Sequence, residues 1–249
     1  MTGMGKSNLV SLITKKISEV KGTVIIFDYH NDYTTLNIPN VNVIDAKINP
    51  RLLEADQFSE VLEIRENADV QQRVLRMSFT QEVKEAGEFW NKLEYEVDLL
   101  VNSEDKKLKE IRTSAYRVQD IIEDAQRRFD DILDPEIGNP MDYIKEGCTN
   151  IINISELSEK QANVAMGFYL QQLLKDRKNA TIAKHGKSKK QKDYKFFEPV
   201  FIILEEAHVF IPKDHDTAAK YWAAKIAREG RKFGVGLAIV SQRPRSVDL

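Results

Sequence analysis

The amino-terminal run Met1-Thr2-Gly3-Met4-Gly5-Lys6-Ser7 constrains this chain more than any other stretch, because it carries all but the first residue of a phosphate-binding loop. That motif is Gly, four free positions, then Gly-Lys-Ser/Thr, and counting back from Gly5 puts its first glycine just before Met1. Small residues let backbone N–H groups curl around phosphates, and Lys6 has the length to reach the β- and γ-phosphates. Ser7 offers a hydroxyl to Mg²⁺, and Asn8 to Ile17 read as the helix whose amino end faces the anion. Thr2, Gly3, Met4, Gly5, Lys6, Ser7 and Asn8 are thus the expected nucleotide-binding residues of a nucleoside triphosphatase. The chain is expected to be a piece of a longer protein. The strand that feeds such a loop normally lies mid-sheet, since ligands bind at strand carboxyl ends. Its sequence is missing here, so a sheet with a gap, or with neighbours closed imperfectly over it, is expected.

At 249 residues the chain has room for one large domain, or one domain with a substantial insertion. Hydrophobic residues at 42% and charged residues at 31% describe a soluble globular protein, and a net charge of −2 gives no overall drive toward DNA. Any nucleic-acid surface must therefore be local. No apolar run approaches the ~20 residues that span a bilayer, and no signal peptide is evident. Cys148 is the sole cysteine, which excludes an intrachain disulfide and points to a reducing, cytoplasmic setting. His30, His185, His208 and His215 are scattered, so a zinc site is not expected.

Thr23 to Asp28 is a continuous apolar, β-branched run, the pattern of a strand covered on both faces. Val41 to Asp45 reads as a second strand. From 54 to 140 the texture becomes helical, with Trp90, Leu93, Val97 and Val101 on one face and Val118, Ile121, Ile122, Ala125, Phe129, Ile132 and Leu133 on another. Pro135, Gly138 and Pro140 punctuate its end. Strands at 149–154, 199–204 and 235–241 alternate with helices from Ser158 to about Lys178 and from Thr217 to about Lys232. The expected fold is α/β with a mainly parallel sheet. It divides into a core at 1–53 and 141–249 and a helical-bundle insertion at 54–140.

Glu205 and Glu206 follow the strand Phe201-Ile202-Ile203-Leu204, which carries them to the carboxyl edge of the sheet beside the loop. There Glu205 can hold Mg²⁺ through water, and Glu206 can orient and activate an attacking water. The bland alternative is an acidic turn. Gln242 follows the last strand at the same edge, where an amide could contact the γ-phosphate or the water, or simply end a strand. Ala227-Arg228-Glu229-Gly230-Arg231-Lys232 sets cations near a helix end, where they answer the helix dipole. Alternatively, Arg228 or Arg231 is an arginine finger presented to a neighbouring subunit's nucleotide.

Four blocks together resemble the HerA family: Thr-Gly-Met-Gly-Lys-Ser-Asn at 2–8, Phe-Asp-Tyr-His-Asn-Asp-Tyr at 27–33, Ile-Leu-Glu-Glu-Ala-His at 203–208, and Ala-Arg-Glu-Gly-Arg-Lys-Phe-Gly-Val through Ser-Gln-Arg-Pro at 227–244. The resemblance implies a RecA-like P-loop core with a helical insertion, working as a hexameric ring that moves along duplex DNA with a NurA-type nuclease in break-end resection. It implies ATP and Mg²⁺ at Lys6 and Ser7, a Walker B pair at Glu205 and Glu206, a trans finger at Arg228 or Arg231, and a sensor at Gln242. It also places Asp28 near the nucleotide, in the family's Asp-x-His-Gly-Glu-Tyr segment. Asn31-Asp32-Tyr33 stand here where the family has Gly-Glu-Tyr.

The basic run Lys184, His185, Lys187, Lys189, Lys190, Lys192 and Lys195 could give salt-dependent, sequence-independent DNA contacts, or serve as a solvated connector. Two other functions fit the same core. One is a conjugation or secretion pump for single-stranded DNA or protein. The other is a nucleotide-gated switch or scaffold with little turnover in a nuclease or defence complex.

Overall fold

A computed structural model describes residues 4–33, 40–65, 67–105, 108–184 and 194–248. Thr2, Gly3 and the basic run from His185 to Lys192 lie outside the described residues. In chain order the elements are α1 (Met4–Glu19), β1 (Thr23–Asp28), β2 (Val41–Asp45), α2 (Ala55–Val61), α3 (Asp69–Ser78), α4 (Gln81–Glu85), α5 (Phe89–Val101), α6 (Arg112–Arg128), β3 (Thr149–Asn153), α7 (Glu159–Lys184), β4 (Val200–Leu204), α8 (Ala207–Phe210), α9 (Ala218–Glu229) and β5 (Val235–Ile239). The chain divides into two compact units, Met1–Ala46 with Pro140–Leu249, and Lys47–Asn139. No helix among the described residues is long and apolar enough to cross a membrane.

The first unit is a five-stranded parallel sheet in the order β2-β3-β1-β4-β5. All six residues of β1 are buried, as its unbroken apolar run requires for a strand covered on both faces. Val24 and Ile26 point to one side and join a cluster with Val10 of α1, Tyr33, Ile151 and Ile203. Phe27 points to the other and meets the Tyr169 ring of α7 edge-on at 6.3 Å. Among the described residues no gap interrupts the sheet. β1 is hydrogen-bonded to β3 on one side and β4 on the other, and β4 continues to β5, so only the outer sides of β2 and β5 are open. Past Val235, β5 is only half-buried.

Helix α1 begins at Met4, earlier than the sequence pattern suggested, so Gly5, Lys6 and Ser7 form its first turn. Helix α7 also runs beyond Lys178, to Lys184. Its buried Arg177 binds the carbonyls of Phe233 (3.0 Å), Phe197 (2.8 Å) and Phe196 (2.5 Å), which staples the approaches to β4 and β5 onto the helix. Helix α9 is capped by the Thr217 hydroxyl, which accepts from the Lys220 N–H at 2.9 Å, and it ends in a 3₁₀ turn over Gly230–Phe233. Gly234, at φ 69°, then reverses the chain into β5 in a conformation that glycine adopts freely.

In the second unit α5 buries Phe89, Leu93, Val97 and Val101, each one turn from the next, and α6 buries Ala115, Val118, Ile122 and Ala125. Phe89 takes the buried position on α5 that the periodicity gave to Trp90, and Trp90 stays half-buried against it at 4.9 Å. Phe58 and Phe79 stack at 4.6 Å beside them. Residues 47–53 belong to this unit because Ile48 exchanges backbone bonds with Ile132 and Asp134, and Arg51 binds the carbonyls of Pro135 and Lys84.

Helices α7 and α9 approach so closely that a Cβ on Gly167 would sit 2.7 Å from the Ala218 Cβ. Ordinarily Gly→Ala in a helix stabilises by about 0.4–1 kcal/mol. Here overpacking should reverse the sign, at a cost of about 1–3 kcal/mol. Gly167→Ala is expected to lower the melting temperature by several degrees in a circular-dichroism melt, and an unchanged or higher midpoint would show that the helices yield.

Candidate active site

Parallel register brings the functional ends together. Phe27 aligns with Leu204, and Leu204 with Ile239, so Asp28, Glu205 and the segment Val240-Ser241-Gln242 leave the sheet side by side at its carboxyl edge. The turn after β1 is held by Asp28, whose two carboxylate oxygens accept the backbone N–H groups of Asp32 (3.1 Å) and Tyr33 (3.0 Å). Asn31 sits in this turn at φ 58°, a left-handed conformation that Asn tolerates and Gly favours, which accounts for Asn standing where the resembled segment has Gly. The fully buried Tyr33 ring fills the space under α1, and its hydroxyl donates to Glu205 Oε1 at 3.0 Å. Ser7 lies near enough to the same hydroxyl to favour its ionised form. Ser7, Tyr33 and Glu205 are therefore contiguous, with Lys6 half-buried next to Ser7.

Glu206 is held separately. It adopts φ 44°, ψ 42°, a left-handed conformation costing a non-glycine residue about 1–3 kcal/mol. That turn aims its buried carboxylate at Gln242, whose Nε2 donates to Oε1 at 2.7 Å. His208 Nδ1 lies 3.2 Å from Oε2, and His30 Nε2 lies 3.8 Å from Oε1. Ser241 Oγ in turn lies 3.3 Å from His208 Nδ1.

The site is short of positive charge. Glu205 is 4% exposed, and its Oε2 is buried with no hydrogen-bond partner. Burial pushes its carboxyl up to about 7; the Tyr33 hydrogen bond opposes this, while the negative charges of Asp28, Asp32 and Glu206 add to it. Burial also raises Asp28, against the backbone N–H groups it accepts. Burial and the Glu205 charge raise Tyr33, which stays a neutral hydroxyl. A divalent cation would relieve the crowded acids and supply a partner for the orphaned oxygen. Ser7 and Glu205 are the side chains that could hold it. One hydroxyl and one carboxylate form the sparse protein set of Mg²⁺, which keeps several waters and takes phosphate oxygens.

The two arginines lie elsewhere. Arg228 is exposed near the end of α9, and Arg231 is exposed beside Lys21, Thr23, Glu198 and Gly234, at the amino ends of β1, β4 and β5. A five-residue strand spans about 17 Å, so Arg231 stands at the far edge of the sheet from this chain's own acids. Lys184 and Lys195, the described ends of the basic run, bind locally, to Glu198 at 3.8 Å and to the Met141 carbonyl at 2.7 Å. Tyr33, His30 and His208 received no role from the sequence, although all three stand in blocks that immediately follow strands.

Because folded Glu205 holds its proton to about pH 7 and an unfolded glutamate only to about 4.5, the metal-free folded state binds more protons between those values. Its contribution to stability therefore falls as pH rises from about 4.5 to about 7. Glu205→Gln should remove that falling component, read as the difference between wild-type and variant denaturation curves across this range in EDTA. Parallel pH profiles would mean that Glu205 ionises normally.

Residues 1–173 match the family described as "Helicase HerA, central domain". Over 99% of its length the chain is 42% identical to the DNA double-strand break repair helicase HerA of Sulfurisphaera tokodaii and 38% identical to that of Sulfolobus acidocaldarius. It spans about half the length of these curated relatives, 50% in each case. Among solved structures, VirB4 of Thermoanaerobacter pseudethanolicus superimposes with a TM-score of 0.60 over 97% of this chain and 67% of that one, at 17% identity, a likeness of fold alone. With a parallel sheet of this order and the family match over most of its length, this chain belongs to the HerA helicase family.

Proposed function

We propose that this chain is the ATP-hydrolysing core of a DNA translocase or helicase that works as a hexameric ring on duplex DNA, in DNA end processing and repair with a NurA-type partner nuclease. The observation that carries the reading is the placement of Tyr33, whose ring packs on Val10 of the phosphate-loop helix and whose hydroxyl donates to Glu205, an acid 172 residues further on. In this reading Gly5, Lys6, Ser7 and Asn8, with Thr2, Gly3 and Met4, receive the triphosphate of ATP. Mg²⁺ bound by Ser7 and Glu205 would neutralise charge on the β- and γ-phosphates. Glu206 orients and deprotonates the attacking water, and its contact with Gln242 passes the state of that site to the end of β5. Asp28 acts through the turn it holds.

The arginines suit a role in trans. Arg228 and Arg231 face solvent at the opposite edge, so a neighbouring copy is the natural recipient of either guanidinium. The two relatives from Sulfurisphaera tokodaii and Sulfolobus acidocaldarius are named DNA double-strand break repair helicases, whereas VirB4 shares only the fold with this chain, so the pump reading gains no support from it. A switch with little turnover is disfavoured by the oriented Glu206, since positioning a base at the cost of backbone strain serves hydrolysis.

In the full-length protein, Lys6→Ala should abolish DNA-stimulated ATP hydrolysis. Glu206→Gln should keep ATP binding and slow turnover by about 10²-fold or more. Arg228→Ala and Arg231→Ala subunits, each inactive or impaired alone, should regain activity when mixed with Glu206→Gln subunits if one of them is the trans finger. Full activity in a strictly monomeric preparation would remove the finger assignment, and DNA binding with ATP uptake but no stimulated hydrolysis would favour the switch.

A further inference from the structure

A buried tyrosine hydroxyl needs one hydrogen-bond partner, and any nearby carbonyl would serve if Tyr33 only filled the core. Its hydrogen-bond partner here is a side chain of the site itself, Glu205 from the end of β4, and Ser7 from the first turn of α1 lies beside it. Its position is over-determined. The ring is packed among Val10, Val24, Ile26, Ile151 and Ile203, and the backbone on either side of Asp32 is pinned to Asp28. The hydroxyl is therefore located by the sheet and helix together.

What it does to Glu205 is asymmetric. Oε1 is taken by Tyr33, while Oε2 is buried with no hydrogen-bond partner. A glutamate has one more rotor than an aspartate, and without a clamp its carboxylate could swing and present either oxygen. With Oε1 fixed, a single oxygen is left to face a cation's water shell, in one direction. Ser7, in the first turn of α1, lies beside the same hydroxyl, so the anchored carboxylate stands near the residue with which it would share a cation.

We propose that Tyr33 is a positioning residue for the metal site, fixing the Glu205 carboxylate beside Ser7 so that the nucleotide-bound divalent cation meets a pre-oriented oxygen. This rests on the reading of the site as one for ATP and Mg²⁺. No displacement of Tyr33 is needed, because the oxygen it occupies is not the one left open. Removing the hydroxyl leaves the ring and its packing intact, frees both carboxylate oxygens, and loosens the link between α1 and β4.

The test is a MgCl₂ titration of EDTA-treated full-length protein, reporting binding of the fluorescent non-hydrolysable analogue mant-AMPPNP. Tyr33→Phe should raise the Mg²⁺ concentration at half-maximal response by about fivefold or more, while the weaker metal-free affinity for the analogue stays as in wild type. In a Glu205→Gln background, Tyr33→Phe should add no further shift, since the hydroxyl acts through the carboxylate. A Tyr33→Phe titration that overlays wild type, or a shift equally large in the Glu205→Gln background, overturns the proposal. A fall in metal-free affinity that matches the fall with Mg²⁺ also overturns it, since that would be a structural effect on the whole pocket. Should wild type itself show no Mg²⁺-dependent binding, and Lys6→Ala behave identically, the failure lies with the nucleotide reading rather than with Tyr33.

Discussion

β1 lies hydrogen-bonded between β3 and β4, and this pairing fixes where each functional side chain emerges. Asp28 and Glu205 belong to segments far apart in sequence, yet they reach one edge because the pairs Phe27 with Leu204 and Leu204 with Ile239 hold three strands in register. A slip of one residue between β1 and β4 would turn every side chain of the slipped strand to the opposite face. The apolar faces resist this. Val24 and Ile26 are committed to the α1 side and Phe27 to the α7 side, so the register that buries the core is also the register that assembles the site.

Much of this is legible in the residues. The β-branched runs at Thr23–Asp28 and Val41–Asp45 declare strands whose bounds match those observed, and the apolar run into Glu205 and Glu206 declares the acidic edge. The sheet order is less legible. Pattern shows that strands exist but not which of them are neighbours, so the gap expected mid-sheet has no counterpart in a sheet where β4 pairs directly with both β1 and β5. Tyr33 escapes for a related reason. An aromatic in a polar turn reads as loop chemistry, and only the fold shows that its ring enters the core while its hydroxyl returns to the surface of the site. The placement of Arg231 likewise depends on which end of β5 it precedes relative to the acids.

The site is costly to maintain without its ligands. Glu205 and Glu206 are both buried, Asp28 stands beside them, and Glu206 is held in a strained left-handed turn. Each part has a local support: Tyr33 for Glu205, Gln242 and His208 for Glu206, and two backbone N–H groups for Asp28. Tyr33, Gln242 and the backbone N–H groups are neutral donors. Hydrogen bonding satisfies geometry here, while neutralisation is left to Lys6 and to whatever cation the site receives. On the proposed reading, such a pocket would bind a metal–triphosphate as a unit better than either component, because each brings part of the missing charge balance.

The same deficit bears on assembly. On the proposed reading, transition-state charge needs a guanidinium that this chain cannot deliver to its own acids, since Arg228 and Arg231 stand toward the amino edge of the sheet. A second copy placed head to tail would bring its amino edge to this carboxyl edge. Contacts of that kind are heterologous, with different surfaces meeting, and they close into rings when the rotation between copies permits. Separating acids and arginines across the length of a strand thus makes hydrolysis conditional on a neighbour. It also gives each subunit a way to register its neighbour's nucleotide state through the shared active site, which is the coupling a motor moving along a polymer requires.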